Sequence, residues 1–100
     1  MTIAQVSVVD ECTLELSGVL SFDTVPDLIM VGLEFIRRAT GEIGIDLHRV
    51  ESSDSAGLAL LTSWYREAVR LDKTIKFYHI PLLMRNLSRV AGLEDVLPWA

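Results

Sequence analysis

The residues best suited to chemistry are Asp54-Ser55-Ala56-Gly57-Leu58, which lie between an apolar strand pattern and a clearly helical one. At such a junction a hydroxyl and several backbone N–H groups without intrahelical partners are presented together, at the mouth of a sheet. In an α/β domain that is where an anion or a partner is usually met. Asp54 and Ser55 are also ordinary capping residues, a role worth about 1 kcal/mol, and capping and docking are compatible. With Asp54 as the cap, Ser55 falls in the first helical turn with its hydroxyl facing outward. Gly57 then leaves space beside it for a partner to approach the backbone.

Other chemistry finds little support. Ser53-Asp54-Ser55-Ala56-Gly57 contains half of a hydrolase nucleophile elbow but lacks the leading glycine. The only histidines, His48 and His79, fall in strand patterns, and no base with an orienting partner is evident, so catalysis is not expected. Two separated histidines and the lone Cys12 give no metal-ligand spacing, and neither metal nor cofactor is expected. No glycine-rich phosphate loop is present, so the chain is not read as an ATPase.

Composition narrows the partner. A chain of 100 residues, half of them apolar, reads as one globular domain over 1–100. A net charge of −5 with no Lys/Arg cluster argues against nucleic acid and against an anionic membrane surface. The expected partner surface is neutral or basic. Cys12 permits no internal disulfide, fits a reducing compartment, and reads as a small buried hydrophobe. Residues Met1 to Asp10 lack the basic and apolar regions of a signal peptide. No apolar stretch approaches the roughly 20 residues that span a bilayer. A cytoplasmic protein with no direct membrane insertion is expected.

The elements that must position the turn follow from periodicity. Val6-Ser7-Val8 and Thr13-Leu14-Glu15-Leu16 alternate at period two and read as a hairpin. Gly18 and Ser21-Phe22-Asp23-Thr24 end the second strand and start a helix, with Asp23 or Thr24 as N-cap and Pro26 in its first turn. Val25, Leu28, Ile29, Gly32 and Ile36 form its core stripe; Arg37 and Arg38 suit its C-terminal dipole, and Gly41 its C′ position. Met30, Val31 and Phe35 lie off that stripe, either as spare core contacts or as an extension of a binding patch beside Ser55. Ile43 to Val50 is the central strand. The second helix runs to about Leu71, with Leu58, Leu61, Tyr65 and Ala68 inward, Leu60, Trp64 and Leu71 widening the stripe, and Ser63, Arg66, Glu67 and Arg70 on its wet side. Thr74 to Ile80 forms a fourth strand. Pro81 opens a third helix with Leu83, Leu87 and Val90 inward. Trp99 is either a lid on the sheet edge or a contact anchor. A hairpin followed by βαβ crossovers means a mixed four-stranded sheet, α/β in class, with three to four helices packed on it.

This order, with an acidic-hydroxyl-small-Gly-Leu turn after the third strand, resembles the STAS domain of anti-sigma-factor antagonists and their relatives. Gly18-Val19-Leu20 with Thr24 is similar to the family's turn before the first helix, and Ile45-Asp46-Leu47 to its central strand. Asp54-Ser55-Ala56-Gly57-Leu58 looks like the family signature, and Ser88 to Leu93 like its last helix and closing Gly-Leu. The ending Glu94-Asp95-Val96-Leu97-Pro98-Trp99 resembles the STAS subunit (MlaB-type) of Mla phospholipid ABC transporters. That resemblance implies a non-catalytic accessory subunit, peripheral to the inner membrane, which binds the transporter's ATPase subunit (MlaF-type) and helps maintain outer-membrane lipid asymmetry. The contact residues it implies are Ser21, Phe22, Asp54, Ser55, Ala56 and Gly57, with Arg66 on the second helix. The alternative is an anti-sigma-factor antagonist met by an anti-sigma factor or serine kinase and switched by phosphorylation of Ser55. Ser21 stands where such antagonists commonly carry an Asp that helps engage the kinase. Phosphate on Ser55 would add about −1.5 to −2 charges, favoured by the helix N-terminus and opposed by Asp54.

Overall fold

Period-two alternation is visible directly in strand β2 (Thr13–Leu20), where Leu14, Leu16 and Leu20 are fully buried and the intervening side chains are half-exposed. The computed structural model describes residues 4–100. The start of the segment read as lacking a signal peptide therefore lies outside the described residues. Strand β1 (Gln5–Asp10) pairs antiparallel with β2 as the expected hairpin. Strands β3 (Ile43–Ser53) and β4 (Ile75–Tyr78) then add in parallel, giving the order β1-β2-β3-β4. Helix α1 (Pro26–Arg38) joins β2 to β3, and α2 (Ser55–Arg70) joins β3 to β4. Crossovers between parallel strands are right-handed as a rule, and two that step the same way across a sheet put both helices on one face, where α1 and α2 pack together. Helix α3 (Leu82–Val90) completes that layer.

The core fills the space between helices and sheet, from Leu14, Leu16, Ile43, Ile45 and Leu47 to Leu60, Leu61, Trp64 and Met84. Trp64 is fully buried, and its Nε1 donates to the Ile29 carbonyl of α1 at 3.1 Å. Gly32 makes this fit possible, because any Cβ there would overlap the Trp64 indole. After Pro98 the tail runs along the free edge of β4, with Phe77 N–H donating to Pro98 O at 3.0 Å and Ala100 N–H to Phe77 O at 2.8 Å. Trp99 packs on Phe77 with ring centroids 5.6 Å apart, so of its two expected roles it takes that of the edge lid.

Several local expectations are corrected. Strand β2 passes through Gly18, which takes a φ of 89°, and ends only at Leu20. Neither Asp23 nor Thr24 caps α1: the N-cap is Val25, without a side-chain bond. The Thr24 hydroxyl instead accepts from Ser21 N–H at 2.9 Å and donates to Val19 O at 2.8 Å, closing the turn that precedes the helix. Gly41 is not a helix terminator, since Ala39 is the C-cap and is extended. The last carbonyls of α1 are taken by Lys73 Nζ, 2.8 Å from both Ile36 O and Arg37 O. Glu67 is buried rather than wet, because Arg37 and Arg70 enclose it at 2.6 and 2.7 Å. These two guanidiniums, hydrogen-bonded to the carboxylate, hold its pKa down at about 2. Helix α3 is rotated from the expected stripe: Met84 and Ser88 face inward, while Leu83 and Val90 are exposed. Ser88 tolerates burial because its hydroxyl donates to Arg85 O at 2.7 Å. Cys12 is only half-buried, within the hairpin turn.

Candidate functional site

The C-terminal ends of the parallel strands β2 and β3 deliver two turns to one place. Asp54 N–H donates to Leu20 O at 3.1 Å, so the start of α2 is tied directly to the residue before Ser21. Asp54 is extended and caps α2, its carboxylate accepting from Ala56 N–H at 2.8 Å. Ser53 steadies the same turn by donating its hydroxyl to Asp54 O at 2.9 Å. This satisfies one orphan donor of the helix through Asp54 and leaves Ser55 free of capping duty. Ser55 is exposed, and its hydroxyl makes no hydrogen bond among the described residues.

Ser21 and Phe22 flank this turn differently. Ser21 is half-buried, and its hydroxyl accepts from Asp23 N–H at 3.3 Å within its own loop. Phe22 is 72% exposed, a large apolar ring held in water at the tip of the loop. Ala56 and Gly57 are buried and offer no side-chain surface. The reason for glycine at 57 is also internal: a Cβ there would overlap Ser53 Oγ and stand 3.1 Å from both Leu20 Cβ and Ser53 Cβ. Glycine therefore seats α2 against the strand ends, and the expectation that it opens a path to the backbone is replaced by this packing.

Arg66 lies eleven residues after Ser55, three helical turns along the same face and about 16 Å away. It is exposed and without an ion pair among the described residues. Ser55, Ala59, Thr62, Ser63 and Arg66 line one wall of an open groove of about 420 Å³, with Ala91 and Leu93 opposite. That second wall is set by Gly92, whose φ of 75° ends α3 in a left-handed turn, Leu93 N–H donating to Ser88 O at 2.7 Å and Gly92 N–H to Arg89 O at 3.1 Å. Ala91 and Leu93 are the contributors that reasoning from the signature turn alone misses. The Gly92-Leu93 pair was their only signal.

Two expected neighbours are elsewhere. Val31 and Phe35 line a different groove with Val8, Asp10 and Glu11, at the hairpin end of the sheet, so they do not extend the Ser55 surface. His48 and His79 both turn to Asp46, at 2.9 and 3.0 Å, and neither hydrogen-bonds Ser55. The spacing argument that separated them fails because β3 and β4 are adjacent.

Comparison with solved structures returns the same fold. A chain of the Acinetobacter MlaFEDB complex in its ATP-bound Vtrans2 conformation is 22% identical, with a TM-score of 0.83, over 96% of this chain and 99% of that one. An anti-sigma factor antagonist from Mycobacterium paratuberculosis is 21% identical, with a TM-score of 0.79, over 99% and 85%. The phosphorylated form of the Bacillus cell fate determinant SpoIIAA is 21% identical, with a TM-score of 0.70, over 97% and 90%. No curated protein matches the sequence. The family model described as Mlab, STAS domain matches residues 3–98, nearly the whole length, and the chain belongs to that STAS-domain family.

Proposed function

We propose that the chain is a non-catalytic docking module that binds the ATPase of an Mla-type phospholipid ABC transporter through the surface around Ser55. The observation that carries this reading is the division of labour at the start of α2. Asp54 does the capping, while Ser55 is exposed and its hydroxyl has no hydrogen-bond partner among the described residues. Phe22 supplies an apolar anchor beside it, Ser21 shapes the adjoining loop, and Arg66 supplies a cation three turns along. Ala56 and Gly57 contribute by setting the height of the first turn rather than by their own side chains. The likeness of its fold to a chain of the MlaFEDB complex is in keeping with the transporter reading. No helix among the described residues is long and apolar enough to cross a membrane, so in this reading the module reaches the inner membrane's cytoplasmic side only through its partner.

A second reading is favoured by one observation. The exposed Ser55 stands in the first turn of α2, where the helix N-terminus favours a phosphate, and the phosphorylated form of SpoIIAA has this fold. In that reading an anti-sigma factor or its kinase is the partner. Affinity purification from native cells separates the two. Recovery of an ABC ATPase with unmodified Ser55 in the intact mass supports the transporter role. A kinase-type partner with a phosphate mass shift overturns it.

A further inference from the structure

On the polar face of the sheet, about 20 Å along β3 from the Ser55 turn, three side chains converge that the docking role does not use. Asp46 Oδ1 stands 2.9 Å from His48 Nδ1 and 3.0 Å from His79 Nδ1. Glu15, paired with Asp46 across β2 and β3, brings Oε2 to 3.7 Å from the same His48 nitrogen. One donor atom from each of Asp46, His48 and His79 lies within 4.8 Å of the other two.

The backbone departs from regularity to achieve this. Alternation along β4 buries Phe77 and turns Tyr78 outward, and would send the next side chain back toward the helices. His79 instead adopts a φ of 57°, the left-handed region that a non-glycine residue enters at a cost, and its ring reaches Asp46 on the polar face. On β3 the register shifts against β2 where His48 falls, and the His48 N–H donates to Asp46 Oδ1 at 3.0 Å. The two rings stand edge to face, centroids 6.0 Å apart and planes at 79°, with both Nδ1 atoms directed at one carboxylate oxygen.

We infer that Asp46, His48 and His79, with Glu15 as an additional donor, form a binding site for a divalent cation of the zinc class. Neutral imidazole and carboxylate suit Zn²⁺ and its transition-metal neighbours, whereas Mg²⁺ and Ca²⁺ take oxygen ligands. About a tetrahedral ion with metal–ligand bonds of about 2.1 Å, adjacent donor atoms stand about 3.4 Å apart, so the two Asp46–His pairs, hydrogen-bonded at 2.9 and 3.0 Å, need open by only about half an ångström to admit it. The cation replaces the two Nδ1–Oδ1 hydrogen bonds, each neutral imidazole then carrying its single proton on Nε2, and it ties β3 to the end of β4.

The test is isothermal titration of the full chain with zinc chloride in a non-chelating buffer. The expected result is one zinc per chain, unchanged in Cys12→Ser, and weakened at least about tenfold in both His48→Gln and His79→Asn. Asn is chosen at 79 because it tolerates the left-handed backbone. Zinc titration of the unaltered chain followed by NMR makes the result independent of variant folding: both imidazole ring systems should shift together. Absence of saturable binding, shifts confined to Cys12 or the N-terminus, or affinity retained in the double histidine variant would overturn the assignment.

Discussion

Gly57→Ala tests whether the height of the Ser55 turn is set by the packing of α2 on the strand ends. The new methyl would overlap Ser53 Oγ and sit 3.1 Å from Leu20 Cβ and from Ser53 Cβ. The Ser53 hydroxyl can rotate away, although it then gives up its 2.9 Å bond to Asp54 O. Leu20 is fully buried and cannot move, so α2 must lift. Overpacking of this kind costs about 1–3 kcal/mol, against a helix-propensity gain of at most about 1 kcal/mol for replacing glycine by alanine. The expected net loss is about 1–2 kcal/mol, which lowers the melting temperature of a domain this size by about 4–15 °C. Urea denaturation at unchanged m-value measures it. Adding Ser53→Ala removes the closest contact and leaves the two at 3.1 Å, so the double variant should regain roughly half of the loss. If Gly57→Ala is as stable as the parent, or if the two substitutions simply add, the packing argument is wrong.

Asp54→Ala should cost about 1 kcal/mol through loss of the cap, whereas Ser55→Ala should stay within about 0.5 kcal/mol of the parent and still lose partner binding; denaturation beside a pull-down reads both. Gly32→Ala drives a methyl into the fully buried Trp64 indole and should destabilise by about 1–3 kcal/mol, with Trp64 fluorescence reporting the displacement. Glu67 has its folded pKa lowered from 4.5 to about 2 by Arg70 and Arg37, so its contribution is complete above pH 4.5 and is lost as pH falls toward 2. Glu67→Gln should flatten the acid limb of a stability–pH curve in that window. An unchanged slope there would show that the two arginines do not hold the carboxylate.

Features written in local periodicity are legible in the sequence. The hairpin, the alternation of β2, the Trp64 stripe of α2 and the Asp54 cap all depend on neighbours in sequence. What escaped depends on distant partners. The wet placement of Glu67 could not foresee Arg37 arriving from α1, thirty residues earlier. Helix α3 presents Met84 and Ser88 inward because a serine bonded to its own helix can be buried, which no hydropathy pattern records. His48 and His79 look scattered in sequence, yet parallel pairing of β3 with β4 and one left-handed residue bring both to Asp46. At the candidate site, Asp54 and Ser55 were readable as cap and exposed hydroxyl, while the second wall of the groove came from the end of α3.

A photo-crosslinking residue placed at Ala59, exposed in the groove one helical turn from Ser55, in native cells and with the captured protein identified by mass spectrometry, probes the docking surface most directly. Capture of an ABC ATPase subunit is expected from position 59, and none from Lys76 on the polar face of the sheet. Capture of that ATPase from Lys76 with none from position 59 would contradict the docking surface.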